Sequence, residues 1–116
     1  GLRIHYGGTF DPVHLGHLAI ARAARDQLQV AVRLLPAADP PHRAAPGAAA
    51  NDRAALLELA IAGEPRFVLD PIEIDRPGPS YTLDTVRALA AARPLTKWFL
   101  IIGHDQYAVV GHDRGA

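Results

Sequence analysis

Apolar residues in the first third of the chain recur with the periods of strands and of a helix. Leu2 to Tyr6 alternates apolar and polar side chains and predicts a strand. The apolar, partly β-branched run from Val30 to Leu35 predicts a second, buried strand. Residues 15–28 between them carry apolar side chains at helical spacing and predict an amphipathic helix. Residues 2–35 should therefore form a β-loop-α-β unit with parallel strands and a right-handed crossover.

The alternation of strands and helices continues in the rest of the chain. The pattern predicts two helices there, one capped by Asn51 or Asp52 and ending near residue 62, and one capped by Ser80 or Thr82. It also predicts a short strand at residues 67–69, an edge strand at residues 72–75 and a buried strand at residues 97–102. This order predicts an α/β fold, with an open parallel sheet and helices on both faces.

Three unusual segments each follow a predicted strand. They are Gly7 to His17, the proline-rich segment Pro36 to Arg43, and Gly103 to Asp105. In open α/β sheets, ligands bind beyond the carboxyl ends of the strands. The convergence of the three segments predicts a binding site at that edge of the sheet.

The first segment has the composition of a phosphate-binding loop. Gly7 and Gly8 follow the first strand and precede a helix, so backbone N–H groups and the helix dipole would meet an anion there. Thr9 adds a hydroxyl donor. His14 and His17 are three residues apart and share one face of the first helical turn. Their ring N–H groups could donate to phosphate oxygens, and the alternative is that they only cap the helix or fill the core.

Composition and charge exclude several classes of protein. Apolar residues make up 49% of the 116 residues and charged residues 21%, which is typical of one small globular domain. Twelve basic and twelve acidic residues leave no basic excess for nucleic acid or an anionic membrane. The chain has no cysteine, no membrane-length apolar run and no signal-peptide pattern. A cytoplasmic location is expected, and the oligomeric state is left open, a homo-oligomer included.

The eleven-residue string from Gly7 to His17, GGTFDPVHLGH, closely resembles a motif of the bacterial nicotinate-nucleotide adenylyltransferases. These belong to the nucleotidyltransferase superfamily with an H-x-G-H motif. Further matches follow in the family's order: Pro40-Pro41-His42-Arg43, Pro79-Ser80-Tyr81-Thr82 and Ile101-Ile102-Gly103-His104-Asp105. The resemblance implies a Rossmann-like domain over residues 1–106. It leaves residues 107–116 unassigned, and the family's later I-S-x-T-x-I-R phosphate motif is missing, which implies C-terminal truncation.

The resemblance also implies an activity, which is adenylyl transfer from ATP to nicotinate mononucleotide in NAD biosynthesis. Mg²⁺ would enter with ATP, held mainly by phosphates and water, so no metal-ligating residue is predicted. Two alternatives are kept. One is an adenylyltransferase or cytidylyltransferase with another phosphate acceptor, such as nicotinamide mononucleotide or phosphopantetheine. The other is a fragment that binds a nucleotide without catalysis.

The predicted site residues fall into three groups. The catalytic pair is His14 and His17. ATP and its phosphates are assigned to Gly7, Gly8, Thr9, Phe10, Gly16, Gly103 and Asp105, and the mononucleotide is assigned to His42, Arg43, Ser80, Tyr81 and Thr82. Simpler roles compete with several of these: Phe10 as a core residue, Asp11 as a turn former, Gly16 as an ordinary helix glycine, His42 and Arg43 as an exposed loop, Ser80 to Thr82 as a helix cap, and Asp105 as an N-cap.

Overall fold

The computed structural model describes residues 1–10, 12–38, 49–75, 82–102 and 106–110. The elements within these residues are β1 (Leu2–Gly8), α1 (Leu15–Leu28), β2 (Val32–Pro36), α2 (Ala50–Ile61), β3 (Phe67–Leu69), α3 (Ile72–Asp75), α4 (Thr82–Ala92), β4 (Lys97–Ile102) and β5 (Gln106–Val110). The predicted β-loop-α-β unit is confirmed, with α1 at its predicted bounds.

One sheet in the order β3-β2-β1-β4-β5 unites the strands. β1 pairs in parallel with both β2 and β4, and β2 pairs in parallel with β3. The predicted open parallel sheet is therefore confirmed over four strands. β5 pairs antiparallel with β4 and adds an edge for which the sequence predicted no element. Only residues 103–105 separate β4 from β5, and so short a connection permits antiparallel but not parallel pairing.

Helices cover both faces of the sheet, as predicted. Alternate residues of each strand point to opposite faces. On one face, α1 and α2 pack against the strands, through the buried residues Ile4, Tyr6, Phe10, Leu18, Ala21, Val32, Leu34, Leu57, Ile61 and Ile101. On the other face, Val86 of α4 packs on Trp98 and Leu100 of β4. Of the helices in the described ranges, none has the length and apolar character needed to cross a membrane.

The prediction of an edge strand at residues 72–75 is wrong, because these residues form the single helical turn α3. Asp70 Oδ1 accepts a hydrogen bond from the Ile72 amide at 3.1 Å, and the Asp75 amide donates to the Pro71 carbonyl at 2.9 Å. An aspartate followed by proline is a helix-start signal, and here it overrides the alternation of apolar side chains. Within α3 the buried side chain is Glu73.

The predicted cap of the second helix is also wrong. The N-cap of α2 is Ala49, which makes no side-chain cap hydrogen bond. Asp52 instead lies in the first turn of the helix, where a carboxylate is favoured by the positive end of the helix dipole.

Leu57 and Leu59 of α2 provide a test of the core. Leu57 is fully buried, whereas Leu59 is 75% exposed. Leu57→Ala should lower the free energy of unfolding by about 2–5 kcal/mol, because it removes buried apolar contacts and leaves a cavity. Leu59→Ala should change it by less than about 0.5 kcal/mol. Urea unfolding of both variants measures the difference, and equal losses would contradict this packing.

His5 of β1 is a buried histidine on the α4 face of the sheet. Its side chain is 2% exposed and its ring centroid lies 5.2 Å from that of Trp98. Burial disfavours the charged imidazolium, and the positive charge of Arg33 adds to that effect. Together they lower the pKa of His5 to about 4. His5 is therefore a structural residue, held neutral in the folded chain at neutral pH.

This lowered pKa predicts a pH dependence of stability. The unfolded chain takes up the proton near pH 6.5 and the folded chain only near pH 4, so stability should fall as pH drops through this window. An NMR titration of the His5 ring should give a pKa near 4. His5→Phe should flatten the decline in unfolding free energy between these pH values. A ring that titrates near 6.5 would contradict its burial.

Candidate active site

The carboxyl ends of β1, β2 and β4 lie side by side. Gly8 at the end of β1 is in register with Pro36 of β2, and Gly7 is in register with Ile102 of β4. The strand order reverses between β1 and β4, and such a reversal opens a crevice where α/β folds bind ligands. The three unusual segments of the sequence therefore do leave the sheet at neighbouring positions.

Two consecutive peptide units after β1 have their carbonyl groups directed toward the end of β2. The Gly8 carbonyl accepts from the Ala37 amide at 2.9 Å, and the Thr9 carbonyl accepts from Nη1 of Arg53 at 2.5 Å. In a trans peptide the N–H points opposite to the C=O. The Thr9 amide is therefore directed away from β2, toward the β4 side, and the Phe10 amide is directed away from the Arg53 guanidinium. Successive N–H groups directed in this way form an anion-binding concavity.

Phe10 combines a buried side chain with a left-handed backbone. Its φ is 51°, a region that aromatic residues rarely adopt, and its side chain is only 2% exposed. Its ring lies edge-on to Tyr6 and His17, with centroid distances of 5.4 and 5.0 Å. Buried contacts thus hold the backbone in a strained conformation. The side chain belongs to the core, so any contact of Phe10 with a phosphate would have to come from its backbone.

His14 and His17 form a reciprocal cap at the start of α1. Nδ1 of His14 accepts from the Gly16 amide, and the His14 amide donates to Nδ1 of His17, both at 3.0 Å. This is a capping box in which two imidazoles occupy the usual positions of a hydroxyl and a carboxylate. A ring nitrogen that accepts from an amide carries no proton, so the proton of each ring is on Nε2.

The two imidazole rings are also packed against each other. Their centroids are 3.8 Å apart and their planes are inclined by 27°. His14 is exposed, whereas His17 is half-buried against Phe10 and Tyr6. His14 and His17 therefore do cap the helix, which was the alternative to phosphate binding. The cap uses only Nδ1 of each ring, so it is compatible with a contact between Nε2 and a phosphate. It fixes the orientation and tautomer of two N–H donors, and the His17 ring is in contact with the ring of Phe10.

Contacts with the His14 ring give a steric reason for glycine at position 16. A Cβ at this position would lie 2.8 Å from Cε1 and 3.0 Å from Nδ1 of the His14 ring. The absence of a side chain at Gly16 therefore gives the capping imidazole its place, whether or not a nucleotide also approaches there.

Arg53 contacts the loop after β1, although it belongs to none of the sequence motifs. It lies on α2 and is 1% exposed, and its guanidinium donates to the carbonyls of Thr9 and, at 2.8 Å, Ala37. The sequence offers only a weak signal, which is that Arg53 precedes Leu57 and Ile61 at intervals of four residues. Their common burial is seen in the structure. A lone arginine at an apolar position of a helix indicates a polar group that it must satisfy.

Several predicted site residues lie outside the described residues: His42, Arg43, Ser80, Tyr81, Gly103 and Asp105. Asp11, considered as a turn former, also lies outside them. Thr82 begins α4. The residues that the structure does bring together are Gly7, Gly8, Thr9, Phe10, His14, Gly16 and His17.

The donor set of the described site fits an anion. It consists of amide and imidazole N–H groups, which bind phosphate oxygens and repel a bare cation. Across the described ranges, no group of three or more His, Cys, Asp or Glu side chains is arranged to hold a metal ion.

Comparison with protein families agrees with this geometry. Residues 5–114 match the model of the cytidylyltransferase-like family. The chain belongs to this family. The match extends past residue 106, where the resemblance in short motifs ended, and it includes β5.

Three curated relatives have the same name, "Probable nicotinate-nucleotide adenylyltransferase". The chain is 64% identical to that of Stenotrophomonas maltophilia (strain K279a), with 90% of this chain and 50% of that protein covered. It is 48% identical to that of Xylella fastidiosa (strain M12), with 91% and 50% covered. It is 50% identical to that of Bordetella petrii, with 88% and 51% covered. The chain therefore spans about half the length of these relatives.

Gly16→Ala tests the steric role of Gly16. Alanine in place of glycine usually stabilises a helix by roughly 0.5–1 kcal/mol. We expect no gain here, or a loss, because the new Cβ would displace the His14 ring from its cap. Urea unfolding measures the effect, with Ala23→Gly on the exposed side of α1 as calibration. A stabilisation of about 1 kcal/mol would contradict the steric conflict.

Proposed function

We propose that the protein containing this chain transfers the adenylyl group of ATP to nicotinate mononucleotide, yielding deamido-NAD and pyrophosphate. The observation that carries the proposal is a set of N–H donors at the strand-order reversal. The amides of Thr9 and Phe10 follow β1, the rings of His14 and His17 cap α1, and the Phe10 and His17 rings are in contact. This set suits a polyphosphate. The names of the relatives favour the nicotinate acceptor, since the chain is 64% and 48% identical to two proteins with that name.

The reaction requires positioning and charge stabilisation rather than a protein nucleophile. A 5′-phosphate oxygen of the mononucleotide attacks the α-phosphorus of ATP and forms the new P–O bond. The bond from the α-phosphorus to the bridging oxygen breaks, and pyrophosphate leaves with the electron pair. Negative charge is redistributed over the oxygens of the α- and β-phosphates, where fixed N–H donors stabilise it most.

The described residues have distinct roles in this scheme. The glycines at positions 7 and 8 let the backbone approach the phosphates, and the amides of Thr9 and Phe10 donate to their oxygens. His14 and His17 donate through Nε2–H. Because the cap holds both rings before substrate arrives, little reorganisation is needed in the transition state.

The remaining assignments are part of the same proposal. Mg²⁺ would bind through the ATP phosphates and water, and would neutralise part of their charge. Gly16, Gly103 and Asp105 are assigned to ATP, and His42, Arg43, Ser80, Tyr81 and Thr82 to the mononucleotide.

Pyrophosphate release by the full-length protein tests the substrates. With ATP and Mg²⁺, turnover is expected with nicotinate mononucleotide and much less with nicotinamide mononucleotide or phosphopantetheine. Replacement of ATP by CTP tests the cytidylyltransferase alternative that the family's name raises. Turnover only with another acceptor would overturn the proposal. Nucleotide binding without turnover would favour a binding module.

His17→Ala should lower kcat by about 100-fold to 1000-fold with little change in the Kd for nicotinate mononucleotide, because it removes a donor to the reacting phosphates. His17→Gln separates this effect from helix capping, since glutamine at this position can still accept from the His14 amide. The glutamine variant should retain the stability of the parent protein and still lose turnover.

Exposed Gln27→Ala on α1 is the control and should leave both constants unchanged. Equal losses in kcat and mononucleotide affinity on His17→Ala would contradict the assigned role. So would full turnover by His17→Gln.

A further inference from the structure

Arg53 lies at a position that disfavours a positive charge, so its contacts must compensate for the cost of burying the guanidinium. Its side chain is buried, 1% exposed, on the core-facing stripe of α2. Arg53 also lies near the amino end of this helix, where the dipole disfavours a cation. A buried guanidinium is expensive to desolvate and is retained only when its donors are satisfied.

The contacts of Arg53 join two strand ends across the sheet. Nη1 donates to the Thr9 carbonyl after β1, and Nη2 donates to the Ala37 carbonyl after β2. Ala37 in turn donates its amide to the Gly8 carbonyl. Arg53 therefore links the loop after β1 to Ala37, which is itself hydrogen-bonded to that loop.

The consequence for the loop is a fixed orientation of its peptide planes. If the Thr9 carbonyl rotated toward the β4 side, the Phe10 amide would rotate away from it, since the two groups are opposed across one planar peptide. A carbonyl directed at the site would also repel phosphate. The left-handed φ of Phe10 is strained and favours rotation of the peptide between Thr9 and Phe10. The observed orientation of this peptide therefore needs a restraint.

We propose that Arg53 is a positioning residue, which draws the Thr9 carbonyl back so that the amides of Thr9 and Phe10 face the phosphates of the substrate. This inference rests on the proposed function, because it assigns those amides to a polyphosphate. Arg53 acts through the loop and makes no contact with the ligand.

The planar fork of arginine is required for this role. Two donors must reach the carbonyls of Thr9 and Ala37 at the same time, and an ammonium on a flexible stem does not reproduce that geometry. Arg53→Lys therefore keeps the charge and loses the link, whereas Arg53→Met loses both.

The experiment measures binding of pyrophosphate to the full-length protein by titration calorimetry, independently of turnover. Both Arg53→Lys and Arg53→Met should bind pyrophosphate about tenfold or more weakly, the effect expected when a charge-assisted hydrogen bond is lost. In ¹H–¹⁵N spectra, pyrophosphate should shift the Thr9 and Phe10 amides in the parent protein and much less in the variants. Added methylguanidinium should partly restore binding in Arg53→Ala.

Arg25→Gln is the matched control. Arg25 of α1 also donates to a backbone carbonyl, that of Pro65 at 3.1 Å, and to Glu64. These contacts join α1 to the residues after α2 and do not involve the loop after β1. Its replacement should leave pyrophosphate affinity unchanged. Equal weakening by Arg25→Gln would show that general destabilisation explains the Arg53 variants, and the inference would fail.

The remaining outcomes separate the two proposals. A parent protein that binds pyrophosphate and turns over, with a folded Arg53→Lys variant of equal affinity, would overturn the role of Arg53 and leave the proposed function standing. A parent protein that neither binds pyrophosphate nor turns over would overturn the proposed function, and the inference with it.

Discussion

The arrangement of the site depends on the direction of two carbonyl groups. An anionic ligand can approach the end of β1 only if N–H groups face it and carbonyl oxygens do not. The Gly8 and Thr9 carbonyls are directed to the end of β2, where the Ala37 amide and the Arg53 guanidinium receive them. The sheet order supplies the rest of the geometry. With β2 on one side of β1 and β4 on the other, the Thr9 amide, which is turned from β2, faces the β4 side, where the strand order reverses.

In the proposed reaction, one interaction gives the histidine pair both a structural and a chemical role. His14 and His17 cap the first turn of α1 through Nδ1, and that bond assigns the proton to Nε2. A hydroxyl and a carboxylate would cap the helix as well but would not supply two neutral ring donors. Capping alone would explain a preference for polar residues at these positions. The proposed donation from Nε2 to phosphate oxygens accounts for imidazole at both positions.

Local signals in the sequence predicted most of the architecture. The bounds of α1 and β3, the parallel pairing of four strands and the neighbouring strand ends follow from apolar periodicity and from the alternation of strands and helices. The wrong strand at residues 72–75 arose because a local helix-start signal competed with a pattern of alternation. At residues 72–75 the pattern of alternation favoured a strand, and Asp70 with Pro71 started a helical turn instead.

Arg53 could not be assigned from the sequence for a different reason. Its position on the buried stripe of α2 is visible, but the two carbonyls that it satisfies lie 44 and 16 residues away along the chain. Which backbone groups need a donor is a property of the folded strand ends. Sequence motifs identify residues that act within one loop or one helical turn, as His14 and His17 do. They do not identify a side chain that acts across the sheet.

The length of the motif after β1 has a physical explanation. H-x-G-H alone specifies only a cap, two imidazoles and the space that Gly16 leaves for one of them. The preceding residues position that cap, because the Phe10 ring lies 5.0 Å from the His17 ring and is itself packed on Tyr6. Phe10 is therefore both the end of the amide-bearing loop and the support of the second histidine. A left-handed backbone at an aromatic residue is tolerated because the same ring that fills the core keeps the loop and the helix at a fixed separation. Loop and helix must accordingly occur together in sequence, which is why the full string is informative where the four-residue motif is not.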